Sequence, residues 1–326
     1  MNDVTQTPVA ELAYPDGIAT AIASAHAAAK HGRMDEAVRW FDLCRTLLTT
    51  LSPAAALKKR VEANAQGRRR EADKYHKAII DRAPSDPGTR VAIFADSLAL
   101  PRPEEMDAFP GNLETTYPGI INARLQAAPA IKGASVWAHC ERYFTTNDMI
   151  RLLVEHPESV RDAHVLVHLG LNDCAIRMYM DDQRIAVGLL PDDIANEVLA
   201  FSSKYRKALI EAFPHFSYVP IQNFTANLHR IAQITKSLNA QSLTFSTAIV
   251  VPEKFWSATP GICRNFTTYN LETMNVAHQV GAKVLDVDRL MWGRDVEISL
   301  NKDGMHLSPV GHELLASSWL KSTFNI

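Results

Sequence analysis

Three short polar clusters hold the residues of this chain best suited to chemistry: Ala95-Asp96-Ser97-Leu98, Gly170-Leu171-Asn172-Asp173 and, near the end, Asp303-Gly304-Met305-His306. A serine hydroxyl is a weak nucleophile at neutral pH until a base takes its proton during attack, and His306 is the candidate base. Asp303, three residues earlier, is suited to accept the other ring N–H, fixing the tautomer and stabilising the imidazolium that forms. The side-chain amide of Asn172 can donate toward an oxyanion, and Ser97, where a strand gives way to a turn, can add its own N–H. Together these groups describe acyl transfer through an acyl-serine. Each has a plainer alternative: a helix N-cap for Ser97, a capping or surface role for His306, and turn-forming bonds to backbone N–H groups for Asp96 and Asp173. The Asp-x-x-His spacing selects His306 over His312, which reads as structural.

The elements that must position these clusters are legible as periodic stretches. Apolar runs at 91–96, 134–140, 164–170, 242–251 and 282–287 alternate with helix-like segments around 115–128, 146–156, 191–213, 222–238, 264–280 and 308–321. Near-continuous apolar runs separated by helices predict a parallel sheet covered on both faces. In such sheets function gathers in loops at the carboxyl ends of the strands. The clusters follow the first, third and fifth runs, so they are expected along one edge.

In order and context the three blocks resemble the SGNH (GDSL-like) serine hydrolases, over residues 90–326, about three quarters of the chain. The resemblance implies an α/β fold, a three-layer α/β/α sandwich with a five-stranded parallel sheet of flavodoxin-like type. It implies Ser97 as nucleophile, His306 and Asp303 as its partners, and an oxyanion hole built from the Ser97 N–H, Asn172 and the N–H of a glycine after the second strand. The chain departs from that pattern twice. Ala95 stands for the first glycine of the serine block, a small residue that serves if its φ is negative. The second block, Ala138-His139-Cys140-Glu141-Arg142-Tyr143-Phe144-Thr145-Thr146, has no glycine, and matching Thr145-Thr146 to the following helix start puts Cys140 at the glycine position. A peptide donor does not depend on its side chain, so the N–H of Cys140, Glu141 or Arg142 is the candidate third donor. Arg142 reads either as a bidentate substrate contact or as an ordinary ion pair.

The segment after the asparagine block, Cys174 to Phe213, reads as a lid or substrate wall. It resembles an extension in bacterial SGNH proteins associated with surface-polysaccharide clusters, where an Asp-Cys-Ala-Pro-Arg-like run appears; here Ile176 replaces the proline. Arg177, Met178 and Tyr179 are candidate substrate-wall residues, with packing as the alternative.

Toward the start, His31-Gly32-Arg33-Met34-Asp35-Glu36-Ala37 matches Gln66-Gly67-Arg68-Arg69-Arg70-Glu71-Ala72, and each match lies between helix-like stretches. The pattern resembles tetratricopeptide repeats, whose period is about 34 residues and of which about three are needed for independent stability. Residues 1–85 are therefore expected to form an all-α helical-repeat segment that leans on the catalytic domain, self-associates or recruits a protein partner. The turn-rich run Ala83-Pro84-Ser85-Asp86-Pro87-Gly88 marks the expected boundary with a domain of residues 90–326.

Composition narrows the partners. A formal charge of -2 with 21% charged residues gives no field to draw in nucleic acid. Neither a secretory leader nor an apolar stretch of membrane-spanning length is visible, so the expected location is cytoplasmic. Cys44, Cys140, Cys174 and Cys263 are widely spaced and read as reduced thiols rather than disulfides or zinc ligands. The resemblance implies a serine esterase that removes an acyl group, O-acetyl by preference, from a small-molecule or glycan ester such as a surface-glycan precursor, with no metal or organic cofactor. Two alternatives stand beside it: an O-acyltransferase using the same triad, and a helical-repeat interaction protein carrying an inactive hydrolase domain.

Overall fold

The computed structural model describes residues 15–80, 88–101, 115–129, 131, 133–214 and 216–326. In chain order the helices are α1 (Asp16–Lys30), α2 (Met34–Thr50), α3 (Ala54–Ile80), α4 (Tyr117–Ala127), α5 (Thr146–Glu155), α6 (Leu171–Cys174) and α7 (Asp181–Val187). They continue as α8 (Asp192–Lys204), α9 (Arg206–Ala212), α10 (Ile221–Ser237), α11 (Ile262–Val280), α12 (Val287–Trp292), α13 (Val296–Ser299) and α14 (Pro309–Phe324). The strands are β1 (Thr89–Ala95), β2 (Ala134–Cys140), β3 (Ala163–His168), β4 (Ser242–Ser246) and β5 (Lys283–Leu285).

All strand pairs are parallel, in the order β2-β1-β3-β4-β5. Alternation within the apolar runs explains why both faces of this sheet are covered. Along β1, Ala92 and Phe94 join one core with Met149 of α5, Ile231 of α10 and Phe266 of α11. Their neighbours Val91, Ile93 and Ala95 join the opposite core with Ile121 of α4 and Trp319 of α14. A strand that feeds two cores has no side left for polar residues, which is why it reads as a continuous apolar run. The helices that cover it start on recognisable caps: Thr145 and Asp148 form a capping box at α5, and the Ser308 hydroxyl accepts the Gly311 N–H ahead of Pro309 at α14.

The run expected to be strand to residue 251 ends as a strand at Ser246. The Thr247 N–H still donates to the Leu285 carbonyl of β5, and side chains then take over: Asn270 binds both the N–H and the C=O of Ala248, and Asp288 accepts the Val250 N–H. The long helix expected over 191–213 is two helices, which meet at Tyr205.

The chain divides into two compact units: Met1–Gln66 with Ile176–Phe216 and Ala258–Pro260, and Gly67–Ala175 with Ser217–Ser257 and Gly261–Ile326. The second holds the sheet. In the first, Ile18, Ile22 and Ala25 of α1 pack with Phe41, Cys44 and Leu48 of α2 and with Tyr179, Val198 and Phe201 from the later segment. A single helix pair cannot bury its apolar face alone, and residues 176–216 supply the missing surface. The expected boundary run at 83–88 lies outside the described residues except for Gly88.

The second half of the apparent repeat is corrected by the structure. Gly32 lies in the turn between α1 and α2, but Gly67, its counterpart, lies inside the continuous helix α3. Residues 54–80 are rich in Ala, Lys and Arg and contain no proline. That preference outweighs the roughly 1 kcal/mol cost of one interior glycine, so no turn forms. Among the described residues no helix is long and apolar enough to cross a membrane.

Candidate active site

β1 delivers Asp96 and Ser97 to the carboxyl edge of the sheet. Asp96 caps the short 3-10 turn Ser97–Ala99, its Oδ1 accepting the Leu98 N–H at 2.9 Å. The capping role thus falls to Asp96, and the Ser97 hydroxyl is turned elsewhere: its Oγ lies 3.0 Å from His306 Nε2. Ala95 is an ordinary extended residue at the end of β1, so this position does not require a glycine.

His306 and Asp303 share a tight loop ahead of α14. Asp303 Oδ2 lies 2.6 Å from His306 Nδ1, and its Oδ1 accepts the backbone N–H groups of Met305 and His306 at 3.1 and 3.0 Å. Burial by itself raises the Asp303 carboxyl, but the bonds from His306 and the loop N–H groups outweigh it and hold the group well below the usual carboxylate range. With Nδ1–H donated to this carboxylate, Nε2 is left to accept from Ser97. The loop turns at Gly304, whose φ is +68°, and a Cβ there would meet the Phe255 ring at 2.3 Å.

The asparagine block opens at Gly170, whose φ of +125° only glycine adopts readily. Asn172 follows in α6, buried, its amide donating to the Phe144 carbonyl at 3.4 Å. Asp173 reaches across to the second block and accepts both the N–H and the hydroxyl of Thr146. It therefore pins the start of α5, and burial pushes its carboxyl up to about 7.

The second block has a geometry that its sequence hid. The Glu141 N–H donates to the Ala95 carbonyl at 3.1 Å, extending the ladder with β1. Because successive peptide groups of a strand point to opposite sides, the Cys140 N–H is directed away from β1, toward the outer edge of the sheet. Its thiol lies in the core, where burial raises it far above an ordinary thiol. The Phe144 N–H closes a turn onto Glu141, leaving Arg142 and Tyr143 at its tip, and Tyr143 takes a left-handed φ of +63°. A turn with φ > 0 at its third residue is where glycine is favoured, so the glycine-like position is 143 rather than 140. No signal in the residue type marks it, since tyrosine costs on the order of 1 kcal/mol there.

The remaining candidates sit elsewhere. The Arg142 guanidinium donates to the Pro101 carbonyl at 2.9 Å and pairs with Glu71 at 3.6 Å, the ion-pair alternative of the sequence reading. Tyr179 is corrected from substrate wall to core: it packs against Phe41, its hydroxyl donates to the Val198 carbonyl, and both it and Met178 belong to the interior of the first unit. Its aromatic ring simply finds the largest apolar surface within reach. Arg177 is also in that unit, its N–H bound to the Phe216 carbonyl at 2.7 Å.

A second histidine group lies in the sheet unit, joining His312, which the sequence marks as structural, to His168, which it does not mark. His168 ends β3, fully buried, with Nδ1 3.2 Å from the Tyr117 hydroxyl; the Tyr117 N–H donates to Nδ1 of His312, also buried. Desolvation lowers His168 to about 4 and His312 to about 3, the latter with help from His168 and His306. The only signal was a histidine closing an otherwise apolar run.

No family model matches the chain, and no curated protein matches it. Solved structures do. An alpha/beta hydrolase enzyme from the metagenome of Lake Arreo, Spain, is 16% identical over 73% of this chain and 96% of that one, with a TM-score of 0.50. The likeness is one of fold. A catalytic mutant of Axe2, an acetylxylan esterase from Geobacillus stearothermophilus, is 20% identical over 72% of this chain and 94% of its own, with a TM-score of 0.48. A lipase/acylhydrolase from Enterococcus faecalis is 16% identical over the same shares, also at 0.48.

Proposed function

We propose that the chain is a serine esterase of the SGNH type, and that it removes an acyl group, O-acetyl by preference, from a carbohydrate or surface-glycan precursor. One observation carries the reading: a single imidazole, His306, lies 2.6 Å from a carboxylate and 3.0 Å from the Ser97 hydroxyl, two groups contributed by distant parts of the chain. The fold shared with the Lake Arreo hydrolase supports the scaffold. The substrate class rests on the sequence resemblance alone.

In this mechanism His306 Nε2 takes the Ser97 proton as Oγ attacks the ester carbonyl, and the depressed Asp303 carboxylate stabilises the imidazolium. The oxyanion is met by the Ser97 N–H, by Asn172 and by a donor from the turn holding Arg142 and Tyr143. His306 then hands its proton to the departing alkoxide, leaving an acyl-Ser97. Water deprotonated by the same imidazole attacks that carbonyl, releases the acid and restores the serine. Turnover of an aryl acetate by wild type and Ser97→Ala tests the reading: a loss of about 10³-fold or more is expected, and equal turnover contradicts it.

A further inference from the structure

From the contact between Phe255 and the triad loop, and resting on the esterase reading above, we infer that Phe255 is the wall against which the alcohol part of the ester lies, and that this alcohol is a sugar ring. The ring of Phe255 is set on Gly304, between the two polar members of the loop: a Cβ at residue 304 would lie 2.3 Å from Cγ, 2.5 Å from Cδ2 and 2.7 Å from Cβ of Phe255. Only a glycine lets the aromatic come so near to Asp303 and His306. Despite this seat, Phe255 keeps 39% of its surface exposed.

The segment that carries it is anchored rather than loose. The Phe255 and Trp256 N–H groups close a turn onto Pro252 and Glu253, and Trp256 packs against the core. Just upstream, Val250 is held by Asp288 and by the indole N–H of Trp292. A partly exposed aromatic ring seated on the loop that carries Asp303 and His306 offers an apolar surface to a ligand.

Which part of the substrate it touches follows from the chemistry. His306 has to protonate the leaving oxygen, so the alcohol departs on the His306 side of the attacked carbonyl, whereas the oxyanion faces Ser97 and Asn172. A surface seated on the His306 loop therefore meets the alcohol and not the acyl group. Its character is one apolar ring with charge at its rim: the Lys254 ammonium lies 5.1 Å from the ring centroid and pairs with Glu297. A pyranose offers the complement, an apolar C–H face the size of a phenyl ring with hydroxyls around its edge.

The test compares kcat/KM for a mono-O-acetylated methyl pyranoside with that for ethyl acetate, in wild type, Phe255→Ala and Phe255→Trp, together with the rate of fluorophosphonate labelling at Ser97. The selectivity ratio for the pyranoside is expected to fall about tenfold in Phe255→Ala, mostly through KM, and to be kept by Phe255→Trp. Equal losses on both esters, matched by slower labelling, reduce Phe255 to a support for the loop and overturn the inference while leaving the esterase reading intact. A larger loss on a long-chain fatty ester than on the pyranoside overturns it in favour of a lipid. A wild type inert on every ester and unlabelled removes the esterase reading itself.

Discussion

Two histidine settings in the sheet unit use the same side chain to opposite ends. His306 stands at the edge, partly exposed, with a carboxylate on Nδ1 and a hydroxyl on Nε2. His168 and His312 lie in the interior, linked through Tyr117, and are held neutral by burial. The difference lies in the partners: His306 meets a carboxylate on one nitrogen and a hydroxyl on the other, whereas the buried pair meets only the hydroxyl and the peptide N–H of Tyr117. It shows why counting histidines locates no site.

The comparison is broken most severely by removing the carboxylate. Asp303→Asn should lower kcat on an activated ester by about 10⁴-fold, because the amide favours the wrong tautomer of His306, while far-UV circular dichroism stays that of wild type. Loss of a proposed oxyanion donor comes next: Asn172→Ala should cost about 10²- to 10³-fold in kcat with little change in KM. Gly304→Ala should cost about 1–3 kcal/mol of stability and part of the activity, since it sets a Cβ 2.3 Å from Phe255 at a φ of +68°; denaturant unfolding measures it.

The smallest effect sharpens the buried side. A histidine whose folded pKa lies below its unfolded value binds fewer protons when folded, so its contribution is present above pH 6.5 and is lost as pH falls toward 4. His168→Gln, which does not titrate, should therefore flatten the rise of unfolding free energy between those pH values. Asp173 works in the opposite sense. Raised to about 7 by burial, it makes stability fall as pH climbs from about 4 to 7, and Asp173→Asn should remove that component.

The sequence made the sheet legible because apolar runs buried on two faces leave no ambiguity of period, and it exposed the serine, asparagine and histidine blocks because each follows such a run. What it hid has identifiable causes. Tyr143 adopts a glycine-like backbone without being glycine. Gly67 looks like a turn but is absorbed by strong helix formers on both sides. Tyr179 lies just after the asparagine block, yet its partners Phe41 and Val198 come from two other segments, and only the folded chain brings them together. Phe255 gains its place from a contact with Gly304, nearly fifty positions away, that no local pattern encodes.

The most direct measurement is mass spectrometry of the folded protein after reaction with a fluorophosphonate. One adduct is expected, on the peptide containing Ser97, absent from Ser97→Ala and formed far more slowly in Asp303→Asn. An unmodified folded protein, or an adduct on a different residue, would contradict Ser97 as the nucleophile.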